Sequence, residues 1–265
     1  MGKLFGVLKD NFSPLGIRIF RIYLGGQAVS LIGTWLQVTA QGWVVWELSK
    51  SEAALGVVGM FGALPLLLLG PFAGVWADRL DRRRLLIATQ TTAMVLAFIL
   101  ALLVQTQLVQ LWHVYILAML LGTVAAIDLP AQQAFLGDLA GMEQVRRAVN
   151  LNNVIVQVSR MLGPAAAGLI IARMGTATAF WLNGASFIAV IGSLLAVGAH
   201  HMRTGGNRES GGFVEGLRYL KVRPRLQDLF IFVTLFTFFG FPIIQILPSV
   251  ADEVLHGNAQ TLGLL

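Results

Sequence analysis

The chain has 265 residues, of which 56% are hydrophobic and only 12% charged, and its mean hydropathy is +0.75. A water-soluble domain carries about 25% charged residues, so the composition excludes one and points to a protein threaded repeatedly through a bilayer. The net charge is +6, but the basic residues gather in connections on one side, which a bilayer explains without nucleic acid as a partner; with no cysteine, a disulfide framework and a thiolate metal site are both excluded.

Crossing the hydrocarbon takes about 20 apolar residues. Runs that meet this requirement fall at about 22–46, 54–77, 85–106, 112–135, 148–171, 177–198 and 228–250. Met1–Arg21 carries four basic residues and no small-residue cleavage site, so the first span reads as an uncleaved insertion signal. Connections are short except 199–227. That segment holds Gly205-Gly206-Asn207 and Gly211-Gly212, then an amphipathic piece with Phe213, Leu217 and Leu220 on one face. It reads as a flexible linker followed by a helix lying at the membrane surface. The chain thus divides into an all-α six-span bundle (1–198), a cytoplasmic linker (199–227) and the start of a second bundle (228–265).

Charge orients the spans. Sixteen of the nineteen Lys and Arg residues lie before the first span or in the second–third, fourth–fifth and sixth–seventh connections. Lys50 and Arg173 lie on the other side, and Arg160 is inside a span. An excess of Lys and Arg marks the cytoplasmic face, which predicts a cytoplasmic N-terminus.

Three groups of polar residues are candidates for function. The first span carries Gln27, Ser30, Thr34, Gln37 and Gln41, spaced 3, 4, 3 and 4 apart and therefore on one helix face. Amides facing lipid are costly, so this face meets either other helices, through interhelical hydrogen bonds, or the water of a solute cavity. The fifth span repeats the pattern with Asn150, Asn153, Gln157 and Arg160, followed by Gly163, Pro164 and Gly168. A mid-span arginine costs about 2.5–3.5 kcal/mol on insertion scales, so Arg160 needs a partner or a watery cavity. Asp128 is the carboxylate well inside a span, and its depth is offset from Arg160 by about 7 Å at 1.5 Å per residue.

The third group is the second–third connection, where Gly74 is followed by Asp78-Arg79 and then Arg82-Arg83-Arg84. This spacing resembles the signature Gly-x-x-x-Asp-Arg-x-Gly-x-Arg-Arg of the major facilitator superfamily, with Asp81 standing where the family has Gly. Trp35-Leu-Gln, Leu129-Pro130-Ala131, Asn153 with Arg160-x-x-Gly163-Pro164, and Phe180-x-x-Asn183-x-x-Ser186-Phe187 extend the likeness along the chain. Together they resemble the branch of enterobactin-exporter-like and multidrug proton-antiporter proteins. The match at Gly163-Pro164 to that branch's fifth-helix motif is partial, with one extra residue before the single Gly168.

The resemblance implies a secondary active transporter rather than an enzyme. It would export a small drug-like or siderophore-like solute by alternating access, coupled to protons, without a cofactor or metal, in the bacterial inner membrane. It places the polar residues of the first and fifth spans in a substrate cavity. It also implies a cytoplasmic latch of Gly74, Asp78, Arg79, Arg82, Arg83, Arg84 and Asp128. For Asp128 a proton site and a static ion pair stay open beside the latch. Members of the superfamily have twelve spans or more, so the chain reads as an N-terminal portion that needs a C-terminal bundle as its partner. Two other classes remain: the membrane domain of an ATP-driven exporter and a non-transporting membrane scaffold.

Overall fold

In the computed structural model the described residues are 12–198 and 245–265, with 223, 226–229, 231–232 and 235 between them; for 71 and 75–79 the description is confined to the backbone. The linker 199–227, apart from 223 and 226–227, and residues 230, 233–234 and 236–244 of the seventh span at 228–250 therefore fall outside the described residues. A 3₁₀ turn, Ser13–Gly16, leads into six long helices: α1 (Arg18–Ser49), α2 (Glu52–Arg79), α3 (Arg82–Gln105), α4 (Leu111–Ala140), α5 (Val145–Met174) and α6 (Thr176–Val197). A helical turn at Leu247–Ser249, a π-type turn at Val250–Val254 and a short helix, Ala259–Leu264, complete the described fold. No strand occurs among the described residues.

Five of the six long helices are long and apolar enough to cross a membrane; α1 is not among them. Its three glutamines and hydroxyl residues lower its hydropathy, yet it lies centrally, packed against α5 and α6 and touching α2 and α4. The helices extend beyond the spans because backbone hydrogen bonding does not stop where lipid does. The second–third connection, expected as a loop from Gly74 to Arg84, is mostly helical: α2 runs through Arg79, and only Leu80 and Asp81 separate it from α3. Asp81 makes that sharp turn possible by capping α3, its side chain accepting from the Arg84 N–H at 3.0 Å. This explains an acidic residue where the resembling family has Gly. At the other side Gly175, with φ +84°, ends α5 and starts α6 in a conformation that an L side chain adopts at a strain cost.

Packing follows the order α2–α4–α3–α6–α1–α5, leaving α2 and α5 at the two edges of the bundle. Two hydrophobic clusters stack along its axis. One joins Phe20, Tyr23, Leu86, Phe135, Leu136 and Leu194; the other joins Trp43, Trp46, Leu55, Leu100, Val114 and Phe180. Between them α1 and α6 approach closely at Gly33, where a Cβ would lie 2.7 Å from Asn183 Oδ1. The α2–α4 crossing is equally tight at Gly122, which lies against the Gly62 backbone. Small residues permit such contacts, and close packing is what holds helices together in lipid.

Candidate functional site

The α5 sequence puts Asn150, Asn153 and Gln157 on its exposed face, while Asn152 and Ser159 turn inward and are buried. Arg160 is half-buried at the end of that polar face, its guanidinium 5.3 Å from the centroid of the Trp35 ring on α1. A guanidinium over an indole face is an attractive cation–π arrangement. It shields the arginine and leaves the N–H groups of its edge able to donate. Gly163 lets the two helices meet here, since it abuts the Trp35 Cβ.

Arg160 and Trp35 border a cleft of about 190 Å³ between α1, α5 and the segment that begins at Gln245. Its α1 wall is Trp35, Val38, Thr39 and Gly42; Pro164 contributes from α5, and Gln245, Leu247 and Leu262 close the third side. The lining is mostly apolar with one cation, one amide and one hydroxyl. It suits an amphipathic solute carrying an anionic or hydrogen-bond-accepting group.

The α1 amide stripe is not this wall. Gln27 is buried and donates from Nε2 to Gln132 Oε1 of α4 at 3.0 Å. Gln37 is buried and accepts from Asn183 Nδ2 of α6 at 2.6 Å. Ser30 is buried, and the Thr34 hydroxyl donates to the Ser30 carbonyl at 3.0 Å. Gln41 is half-exposed. The structure thus gives Gln27 and Gln37 interhelical partners, and the cleft lies on the neighbouring face, one residue onward at Trp35 and Val38.

The basic motif also finds different partners from those expected. Arg82 Nη1 donates to both carboxylate oxygens of Asp138 on α4 at 2.8 Å. Arg83 donates from Nε to the Leu194 carbonyl at 2.6 Å and from Nη2 to Leu195 at 3.2 Å, tying α3 to the C-terminal turn of α6, where a cation complements the free carbonyls. Arg84 is exposed beside Asp81. The side chains of Asp78 and Arg79 lie outside the described set, and Gly74 has open space around it.

Among the described residues, Asp128 meets none of Arg82, Arg83 and Arg84. It accepts from the Thr89 hydroxyl, from Gln90 Nε2 at 2.9 Å and from Gln132 Nε2. The reason is the antiparallel register of α3 and α4. Pairing Arg82 with Asp138 puts Asp128 opposite Thr89 and Gln90, about 10 Å deeper at 1.5 Å per residue. Arg160 does not reach it either.

At the opposite end of α1, Asp252 closes a small cluster. Trp46 Nε1 donates to its Oδ2 at 2.7 Å, and Lys50 Nζ lies 2.5 Å from the same oxygen and 5.2 Å from the Trp46 ring. The Lys50 and Trp46 donors hold the Asp252 carboxyl below the usual carboxylate range. Nearby, the Ser249 hydroxyl donates to Glu52 Oε1 at 3.2 Å. On α5, Gly168 faces the terminal helix: a Cβ there would lie 2.7 Å from the Ala259 carbonyl. Gly168 and Gly263 thus seat that helix on α5.

The bundle of long apolar helices with this basic α2–α3 turn is that of a membrane protein of the major facilitator superfamily. Over residues 9–265 the chain matches the family described as transmembrane secretion effector, and it belongs to that family. It is similar to the staphyloferrin A transporter of Staphylococcus aureus, 25% identical over 92% of this chain and 62% of that protein. It is also similar to macrolide efflux protein A of Streptococcus pyogenes, 25% identical over 94% of this chain and 62% of that protein. A third relative is the multidrug efflux pump Tap of Mycolicibacterium fortuitum, 28% identical over 74% of this chain and 51% of that protein. Among solved structures, a bacterial homologue of the human lysosomal transporter Spinster, in an inward-facing and unoccupied conformation, superposes with a TM-score of 0.75. It is 15% identical and covers 93% of this chain and 57% of its own, a likeness that shows the fold. The chain therefore spans about half to three-fifths of the length of these proteins.

Proposed function

We propose that this chain forms the first bundle of a secondary active exporter that carries a small amphipathic or anionic organic solute out of the cell. The observation that carries the reading is Arg160 stacked on Trp35 at the border of the cleft between α1, α5 and the terminal segment. The relatives' names, a siderophore transporter and drug-efflux proteins, support a siderophore-like or drug-like solute. The exposed Asn150, Asn153 and Gln157 face is costly against lipid. A second bundle, supplied by the part of the fold that the chain does not span, would cover that face and complete the cleft. Alternating access would then be a rocking of one bundle against the other, with protons as the coupling ion. The charge asymmetry supports a cytoplasmic N-terminus in the bacterial inner membrane. In this reading Gly74, Asp78, Arg79 and Arg82–Arg84 form the cytoplasmic latch, with Asp138 taking the α4 place that Asp128 was expected to fill.

The test is efflux by the full-length protein in proteoliposomes, driven by an imposed pH gradient and run with siderophore and macrolide panels. Arg160→Ala is expected to abolish saturable flux while membrane insertion stays near normal. Arg160→Lys keeps the charge but loses the planar stacking fork, so it retains partial flux. Full flux in Arg160→Ala would refute the assignment.

A further inference from the structure

We propose that the cleft beside Arg160 is a monocarboxylate subsite: it takes the carboxylate head of a singly charged, otherwise apolar solute and turns away cationic amphiphiles. The inference rests on the export reading above and narrows its solute class. Among the described residues Arg160 has neither a hydrogen-bond acceptor nor a carboxylate partner, and its guanidinium rests on the Trp35 ring at 5.3 Å. No acid of the neighbouring elements lies at its depth. Helix α5 carries none. On α1 the acid is Glu47, about 18 Å beyond Trp35 at 1.5 Å per residue, and it accepts from Trp43 Nε1 at 2.8 Å. The third wall of the cleft belongs to a stretch, 229–251, without any charged residue, and Asp252, which follows it, is held by Trp46 and Lys50. A cation at mid-span is costly without an opposite charge, so the neutralising anion comes from the solute.

The chemistry of the lining selects the anion. A guanidinium donates in its own plane, and with one face on the indole Arg160 offers its N–H edge, where two parallel hydrogen bonds match a planar carboxylate. One cation neutralises one negative charge. A phosphate monoester would bring a second charge, unpaired, into an apolar cleft, which is costly. Val38, Leu247 and Leu262 make the wall apolar, and the Thr39 hydroxyl is spent on the Trp35 carbonyl at 3.1 Å. Beside Arg160, the side-chain N–H donors of the lining are the Trp35 indole and the Gln245 amide, both neutral. No carboxylate lines the cleft among the described residues, so an ammonium group would meet Arg160 with nothing to offset the repulsion.

The volume bounds how much of the solute sits here. At about 190 Å³ the cleft is smaller than the about 300–1,000 Å³ of a pocket that encloses a whole drug-sized ligand, so it fits the charged head and the start of the apolar body. A purely structural arginine is fixed differently in this chain. Arg82 is held by the Asp138 carboxylate and Arg83 by the Leu194 carbonyl, each within hydrogen-bond distance. Arg160 is steadied by a ring face instead, which leaves its N–H groups unspent for a ligand.

The experiment measures binding to the full-length protein in phosphatidylcholine nanodiscs at about pH 7, where an ordinary carboxylate is ionised, with protein-free discs subtracted. The probes share one aromatic body: phenylbutyrate, phenylbutyramide, phenylbutylamine and phenylbutyl phosphate. Phenylbutyrate should bind saturably and at least tenfold more tightly than each of the others. Arg160→Gln should bind the acid and the amide equally. Arg160→Lys should keep the preference for the acid at reduced affinity, because the charge stays and the planar fork is lost. Loss of folded protein would lower acid and amide binding together, so their ratio is the readout that a structural role leaves unmoved. Binding of none of the four, binding of the amine or the phosphate as tight as that of the acid, or an acid preference that survives in Arg160→Gln would overturn the proposal. Flux in proteoliposomes separates it from the export reading. Gradient-driven flux that saturating phenylbutyrate leaves unchanged overturns the subsite while export stands. Arg160-dependent phenylbutyrate binding without gradient-driven flux of any solute upholds the subsite while export fails.

Discussion

The Arg82–Asp138 pair sets the strength of the contact between the start of α3 and the end of α4. One guanidinium nitrogen donates to both carboxylate oxygens at 2.8 Å, and the two side chains are only 18% and 14% exposed. An exposed pair is worth about 0–1 kcal/mol, whereas removing one partner of a buried pair costs about 3–5 kcal/mol. This pair lies between those limits, so a coupling energy of about 1–2 kcal/mol is expected. A double-mutant cycle of Arg82→Ala, Asp138→Ala and the double variant isolates the pair from every other contact of either residue. Each single change should lower the thermal midpoint in detergent, and the double variant should lose less than the sum. The same cycle should be repeated with Asp128→Ala in place of Asp138→Ala. Additive losses are expected there, because Asp128 lies about 10 Å deeper. Additivity for Arg82 with Asp138, or coupling for Arg82 with Asp128, would refute the register drawn above.

Three further outcomes follow from particular contacts. Gly168→Leu should unseat the terminal helix, since even a Cβ would come within 2.7 Å of the Ala259 carbonyl; overpacking of about 1–3 kcal/mol is expected, and increased proteolysis near residue 259 would report it. Gln37→Leu leaves the buried Asn183 amide without its acceptor at 2.6 Å, a cost of about 1–3 kcal/mol, whereas Gln37→Leu with Asn183→Leu should recover most of the lost thermal stability. The Lys50–Asp252 contact depends on an ionised Asp252, whose carboxyl is held below its usual range by Lys50 and Trp46. A depressed native pKa gives a contribution present above about pH 4 and lost as pH falls through the lower native value. The thermal midpoint of wild type relative to Asp252→Asn should therefore be constant at neutral pH and fall only in stronger acid; a decline already near neutrality would count against the contact.

Several of these features were legible in the sequence. Hydropathy located the helices because lipid demands long apolar runs, and the charge asymmetry and the Gly74–Arg84 spacing led to the superfamily. Arg160 stood out because a mid-span cation must be accommodated. What periodicity could not give was the partner of each polar face. The α1 stripe at 27, 30, 34, 37 and 41 is real, but whether an amide meets water or another helix depends on where helices cross. Gln132 and Asn183 decided that for Gln27 and Gln37. Register between α3 and α4 was equally hidden: Asp138 reads from sequence as an ordinary polar residue near a helix end, yet it takes the arginine. Trp35 was visible only as part of the Trp35-Leu-Gln likeness, and its place under Arg160 depends on the close approach at Gly163. The basic turn turned out to be helical almost throughout because Asp81 caps α3, a role visible only when the helix start is known.

The central claim is that the Arg160–Trp35 cleft holds the solute. Equilibrium binding of a radiolabelled transported solute to the purified full-length protein tests it without requiring turnover. Arg160→Ala and Trp35→Ala should each weaken binding at least tenfold, about 1.4 kcal/mol, while Gln37→Leu with Asn183→Leu, remote from the cleft, leaves it unchanged. Unaltered affinity in both Arg160→Ala and Trp35→Ala would contradict the account.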